Sequence, residues 1–128
     1  MIHFTIPVAP RTKKNSPQIY KRKNGGHFVA PSKAYKDYVS KAGWFIKSPA
    51  EPICVPVNVK AVFYMDTRRR VDLVNLLQAL LDVLVEFDVL EDDNSRIVVS
   101  MDGSRVSYDK ENPRTEVEIT YISNFTSG

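Results

Sequence analysis

Asp66-Thr67-Arg68-Arg69-Arg70-Val71-Asp72-Leu73-Val74-Asn75-Leu76-Leu77-Gln78 runs on through Ala79 to Glu86, setting three arginines against a carboxylate that opens the most strongly patterned helix in the chain. At about 100° per residue, Leu73, Leu76, Leu77, Leu80, Leu81 and Leu84 fall on one side and Asp72, Asn75, Gln78, Asp82 and Glu86 on the other. One face is core; the other is a stripe of carboxylates and amides. Asp72 stands at the N-cap, where its side chain is expected to accept a backbone N–H of the first turn and where the helix dipole favours a negative charge. A capped amphipathic helix with a solvated polar face accounts for this pattern without any function. The arginine run against the cap, and a second acidic cluster, Glu91-Asp92-Asp93, just past the helix end, point beyond that.

Charge is divided unevenly along the chain. Residues 1–60 carry 11 Lys and Arg against 2 acids, Asp37 and Glu51, whereas residues 61–128 carry 7 against 13. The basic first half suits a polyanion, because cations that neutralise phosphates release counterions and gain affinity. The acidic second half, with its own arginine cluster, suits a metal-dependent phosphodiester site, in which carboxylates hold divalent cations and arginines hold the phosphate against them. A solvated surface without a partner is the plainer alternative.

At 128 residues, with 43% hydrophobic content, the chain reads as one globular domain spanning residues 1–128. No apolar run approaches the length of a membrane span, and Met1-Ile2-His3-Phe4-Thr5-Ile6 lacks the charged start and apolar core of a signal peptide, so a cytoplasmic protein without membrane contact is expected. Cys54 is the single cysteine, set in the apolar run Ile53-Cys54-Val55, and a buried, inert thiol is the default. With only His3 and His27 to join it, neither a zinc site nor a Cys/His nucleophile pair is expected.

Working outward, residues 2–8 alternate as a first strand. The polar stretch Arg11-Thr12-Lys13-Lys14-Asn15-Ser16-Pro17 reads as a loop in which Lys13, Lys14 and Asn15 suit phosphate contacts or, equally, plain solvation. Lys23-Asn24-Gly25 between two short strand-like runs, residues 18–22 and 26–30, is a strong hairpin signal. Ser32 is the N-cap of a first helix reaching to about Lys47, with Tyr35, Tyr38, Val39, Ala42, Phe45 and Ile46 on its buried side. Lys33, Lys36, Ser40, Trp44 and Lys47 form its other face; Trp44 either stacks on a base or packs under a loop, packing being the commoner fate. Residues 55–64 alternate as a half-buried strand, and the helix from Asp72 to about Phe87 follows. Residues 96–101 and 116–122 read as strands, residues 102–105 as a turn or bulge and residues 109–113 as a surface loop. The order is that of an α+β domain, two helices on a mixed or mostly antiparallel sheet.

Arg-Arg-Arg-x-Asp-Leu-x-Asn-Leu leading into an amphipathic helix, with Asp-Asp about twenty residues after the first aspartate, resembles the RusA-type Holliday junction resolvases. Lys13-Lys14-Asn15-Ser16 and Pro31-Ser32-Lys33-Ala34-Tyr35 resemble the N-terminal half of that family, and the likeness extends to about Met101. It implies a small homodimeric endonuclease that binds branched DNA, four-way junctions above all, and makes paired nicks with Mg²⁺, Mn²⁺ being an alternative ion, in recombination and repair. By position it makes Asp72, Asp93 and Asn75 catalytic, Asp72, Asp92 and Asp93 the metal ligands, and Lys13, Lys14, Asn15, Arg68, Arg69 and Arg70 the DNA contacts.

Two positions depart from the family pattern. Val74 stands where a second aspartate is expected and Gln78 where a catalytic lysine is expected. Asp82 and Asp102 are the carboxylates able to substitute in the metal site, and a diverged branched-DNA-binding protein that no longer cuts is the alternative function. Geometry adds a constraint: a helix of about sixteen residues spans roughly 24 Å. Asp72 at its start and Asp93 past its end share a metal only if the chain folds back along the helix or if two helices pair across a dimer axis.

Overall fold

The computed structural model describes residues 1–13, 18–21, 27–30 and 32–122, the two short segments through their backbone. Lys14, Asn15 and the Lys23-Asn24-Gly25 turn lie outside the described residues. The elements run β1 (Ile2–Ile6), β2 (Gln18–Lys21), β3 (His27–Ala30), α1 (Lys33–Ala42), β4 (Val57–Met65), α2 (Leu73–Glu86), β5 (Val98–Ser100), β6 (Arg105–Tyr108) and β7 (Arg114–Tyr121).

β4 is the axis of the main sheet. On one side it pairs antiparallel with β7, which in turn pairs antiparallel with β1. On the other it pairs in parallel, first with β5 at Val57 and Asn58 and then with β6 at residues 62–65. β2 and β3 make a separate antiparallel ribbon, so the strands of the expected hairpin are present. The sheet is therefore mixed and the fold α+β, as the sequence indicated.

Alternation along the strands decides which face is covered. Phe4 and Ile6, Val57, Val59, Ala61, Phe63 and Met65, and Val117 and Ile119 are all buried, and register sets them side by side. They form one core with Leu76, Ala79, Leu80, Leu81, Val83 and Leu84 of α2 and with Tyr35, Tyr38 and Ala42 of α1. Both helices thus lie on one face, and the other carries His3, Lys60, Tyr64, Glu116 and Glu118 around Val62. The apolar side of α2 matches the expected one closely; Leu73 and Leu77 pack at its margin, and Ala79 and Val83 join it.

Several expectations need correction. α1 stops at Ala42, about five residues early: Gly43 is a poor helix former, and the Trp44 and Phe45 N–H groups bond back three residues, to Lys41 O and Ala42 O, in tighter turns. Trp44 consequently sits on the turn after the helix and is 86% exposed instead of packed, and Phe45 is 45% exposed. Cys54 is exposed, because Ile53 takes the inward position through its bridge to Leu90. β6 falls between the expected turn and the expected loop, taking Arg105 from the turn and residues 106–108, to which the sequence reading assigns no element; the turn itself is at residues 101–104, with Gly103 at φ +88°.

Burial pushes the Tyr38 hydroxyl up to about 12, from an ordinary value of 10.0. The folded state thus holds this proton more tightly than the unfolded chain, so the linked stability is intact below pH 10 and is lost as pH climbs toward 12. Tyr38→Phe is expected to flatten most of that alkaline fall, which urea unfolding either side of pH 10 would register.

Candidate active site on the exposed face of α2

The chain leaves β4 at Met65 and crosses the arginine run before entering α2. Arg11 clamps the start of this passage, both guanidinium NH₂ groups donating to the Asp66 carboxylate at 3.2 Å. That guanidinium holds Asp66 below the usual carboxylate range. Beyond it, the Arg68 guanidinium carbon lies over the Tyr108 ring, 3.9 Å from its centroid, and the Arg69 backbone N–H reaches Thr67 Oγ1 at 3.4 Å.

Asp72 occupies the N-cap position with extended backbone, but its side chain makes no cap hydrogen bond. Its carboxylate accepts instead from the Asn75 side-chain amide at 3.2 Å. The expected cap is therefore replaced by an Asp72–Asn75 pair on the helix surface, which leaves the second carboxylate oxygen facing outward. Val74, between them in sequence, is 75% exposed and offers no ligand.

One turn further on, the Gln78 amide nitrogen donates to two carboxylates at once, Asp82 Oδ1 at 2.9 Å and Asp93 Oδ2 at 3.1 Å. The other Asp82 oxygen accepts from Lys13 Nζ at 3.1 Å. This contact with Asp82 raises the Lys13 ammonium above its ordinary value. The network Lys13–Asp82–Gln78–Asp93 ties the loop after β1, the middle of α2 and the loop after α2 into one exposed cluster. A cleft of about 460 Å³ continues from Lys13 and Asp82 toward Tyr35, Lys36 and Val39 of α1.

Asp93 reaches Gln78 because the chain turns back on its own helix. Asp88 adopts φ +60°, a left-handed conformation that aspartate tolerates better than most residues. The Val89 and Leu90 N–H groups then close onto Leu84 O at 2.8 and 3.2 Å. Of the two arrangements that join the ends of the helix, this is the fold-back within one chain. Gln78 lies six residues after Asp72, so the axial separation falls from the full helix length to roughly 9 Å.

Asp92 faces elsewhere. Its carboxylate accepts from the Asp93 N–H at 2.8 Å and from Asn94 at 3.2 Å, and the first of these bonds lowers its pKa. Asp92 thus shapes the turn that presents Asp93. Asp102 sits on the β5–β6 turn, where its main chain is held by Asn58. Of the two substitute carboxylates, Asp82 is the one brought beside Asp93.

Among the described residues, no three acid, histidine or cysteine side chains converge closely enough to hold a metal ion by themselves. What converges is a pair, Asp82 and Asp93, with the Gln78 amide between them. Mg²⁺ is commonly held by one or two carboxylates and keeps several waters, so this all-oxygen pair fits it chemically.

A sequence profile described as Endodeoxyribonuclease RusA matches residues 7–120 of the 128-residue chain. The chain belongs to the RusA family of endodeoxyribonucleases. No curated protein matches it. The match begins just after β1 and ends within β7, and so includes every residue of the cluster and of the arginine run. The RusA family acts on branched DNA, a substrate whose phosphates suit the exposed arginines beside α2. No helix among the described residues is long and apolar enough to cross a membrane.

Sequence reading singled out Asp72, Asn75 and Asp93 but did not link Lys13, Asp82 and Gln78, whose meeting depends on three separate segments. Arg11 was read only as part of a basic loop. The Lys13 side chain is 56% exposed, so its ion pair adds little to the fold. Lys13→Met is expected to change unfolding free energy in urea by less than about 1 kcal/mol, while weakening the attachment of the β1–β2 loop to α2, seen as faster amide hydrogen exchange at residues 11–13.

Proposed function

We propose that this RusA-family protein is a Mg²⁺-dependent, structure-selective endodeoxyribonuclease that resolves four-way DNA junctions by paired nicks in recombination and repair, working as a homodimer. The observation that carries this reading is the meeting of Asp82 and Asp93 across Gln78, on the helix that Asp72 and the arginine run open. Asp93 and Asp82 would hold the ion, with Asp72 nearby on the same helix; Mn²⁺ would be accepted by the same donors. The bound ion supplies an activated water and offsets charge developing on the phosphate.

The chain's own residues do the rest. Arg69 and Arg70, exposed and close to Asp72, anchor the phosphodiester backbone by charge-assisted hydrogen bonds. Asn75 orients the Asp72 carboxylate through its amide. The Lys13 ammonium, at present on Asp82, lies beside the acidic pair and is positioned to steady a phosphate oxygen drawn to that pair. A two-fold dimer suits a substrate whose strands must be cut symmetrically.

Exposed Val74 and neutral Gln78 favour a second reading, a branched-DNA-binding protein that has lost cleavage. A labelled four-way junction and a linear duplex of matching sequence, each with and without Mg²⁺, separate the two. The nuclease is expected to nick the junction in pairs only with the ion, and Asp93→Asn or Asp72→Asn is expected to slow this by roughly two to three orders of magnitude, the scale for losing one group that stabilises transition-state charge, with junction affinity retained. Tight binding without nicking under either ion would overturn the nuclease reading, and the second would stand if Val74→Asp with Gln78→Lys then introduced cutting.

A further inference from the structure

We infer that the cleft at the carboxyl ends of β4 and β6 is a stacking site for one unpaired nucleotide of DNA, with the Arg68 guanidinium, held over the Tyr108 ring, as its platform. The inference rests on the DNA-acting reading above. It goes beyond that reading by assigning Tyr108 and Val106 a role and by giving Arg68 a different task from its neighbours.

The cleft is a product of the parallel pairing. β4 and β6 end side by side at Met65 and Tyr108, and ligands on open sheets with parallel strands gather outside such carboxyl ends. Register sends Val106 and Tyr108 to the same side as Phe63 and Met65, the side that α2 covers elsewhere. The helical layer does not extend this far, and Val106 is left 38% exposed. The result is an open cleft of about 510 Å³ lined by Thr67, Arg68, Arg69, Val106 and Tyr108.

A comparison within the molecule distinguishes Arg68. Arg114 lies over the Tyr64 ring at 3.8 Å, nearly the same geometry. Arg114, however, is saturated, bonded to Asp109 at 2.8 Å and to Glu116 at 2.7 Å. Arg68 and Arg69 have no carboxylate within ion-pair distance among the described residues. A planar cation held against an aromatic ring, unpaired and open on its outer face, stacks a nucleobase, while an adjacent unpaired arginine takes the phosphate. Within a duplex the base faces are occupied by their neighbours, so the nucleotide that fits here is an unstacked one, as at the branch of a junction.

The test compares oligothymidylate with a strand of equal length built of abasic units, which keeps the phosphates and removes the bases, by fluorescence anisotropy. The wild-type protein is expected to prefer the strand with bases. Tyr108→Ala and Arg68→Lys, the latter keeping the charge but not the plane, are each expected to cut that preference roughly tenfold. Tyr108→Phe retains it, and Arg69→Ala weakens both strands equally. Should Tyr108→Ala fail to fold, the exposed Arg68→Lys decides alone. An unchanged preference in Arg68→Lys and Tyr108→Ala, or no preference in the wild type, overturns the stacking site while leaving the nuclease reading intact. If the wild type binds neither strand nor a four-way junction, the DNA reading fails and this inference falls with it.

Discussion

Parallel pairing of β4 with β5 and β6 is the constraint from which the site follows. Parallel neighbours cannot be joined by a tight turn, so the chain must cross over the sheet, and α2 is that crossover. Its Leu76, Leu80 and Leu84 have to meet Val59, Ala61 and Phe63, and this turns Asp72, Asn75, Gln78 and Asp82 away from the sheet. The helix also has to begin where β4 ends. The arginine run and Asp72 are therefore delivered together to the carboxyl end of the central strand, next to the end of β6.

The return from α2 completes the arrangement. Leu90 is fixed by Ile53 and Leu84, and Ile97 by its bond to Val57 at 2.7 Å, so the two ends of the loop between them are anchored low on the sheet. Between these anchors the loop swings along the helix far enough for Asp93 to share Gln78 with Asp82. Asp92 and Asn94 stiffen the excursion from within. An acidic pair that looks continuous in sequence is thereby split into one carboxylate that shapes the turn and one that faces the helix.

Local periodicity made the helix α2, its core face and the central strand legible, because a 3.6-residue or two-residue repeat is written in neighbouring residues. What depends on distant segments was not legible in the same way. Nothing near Lys13 in sequence indicates Asp82, and nothing near Gln78 indicates Asp93. The Asp72 cap failed for a local reason of a different kind: Asn75 offers a side-chain donor that competes with the backbone N–H groups for the same carboxylate. Trp44 and Phe45 follow the helical repeat on paper, yet at Gly43 the chain tightens into turns that bond back three residues and take both side chains off the helix. The expectation that Asp72 and Asp93 belong to one site comes from the family resemblance and not from periodicity.

The charge arrangement gives Gln78 a physical consequence. Asp82 and Asp93 both lean on one amide group, and Lys13 offsets only Asp82. A lysine at position 78, as the family pattern has it, would set an ammonium beside both carboxylates. The neutral amide spaces them instead, so the cluster keeps an uncompensated negative charge at Asp93. Such a face repels DNA by itself. The polyanion can approach only if cations close by hold it, and those cations are the arginines that the same crossover brings to the start of α2. On the proposed reading, acidic helix face and arginine cleft are one construction: the first would hold the ion and the second the phosphate, and neither would bring phosphate and carboxylate together without the other.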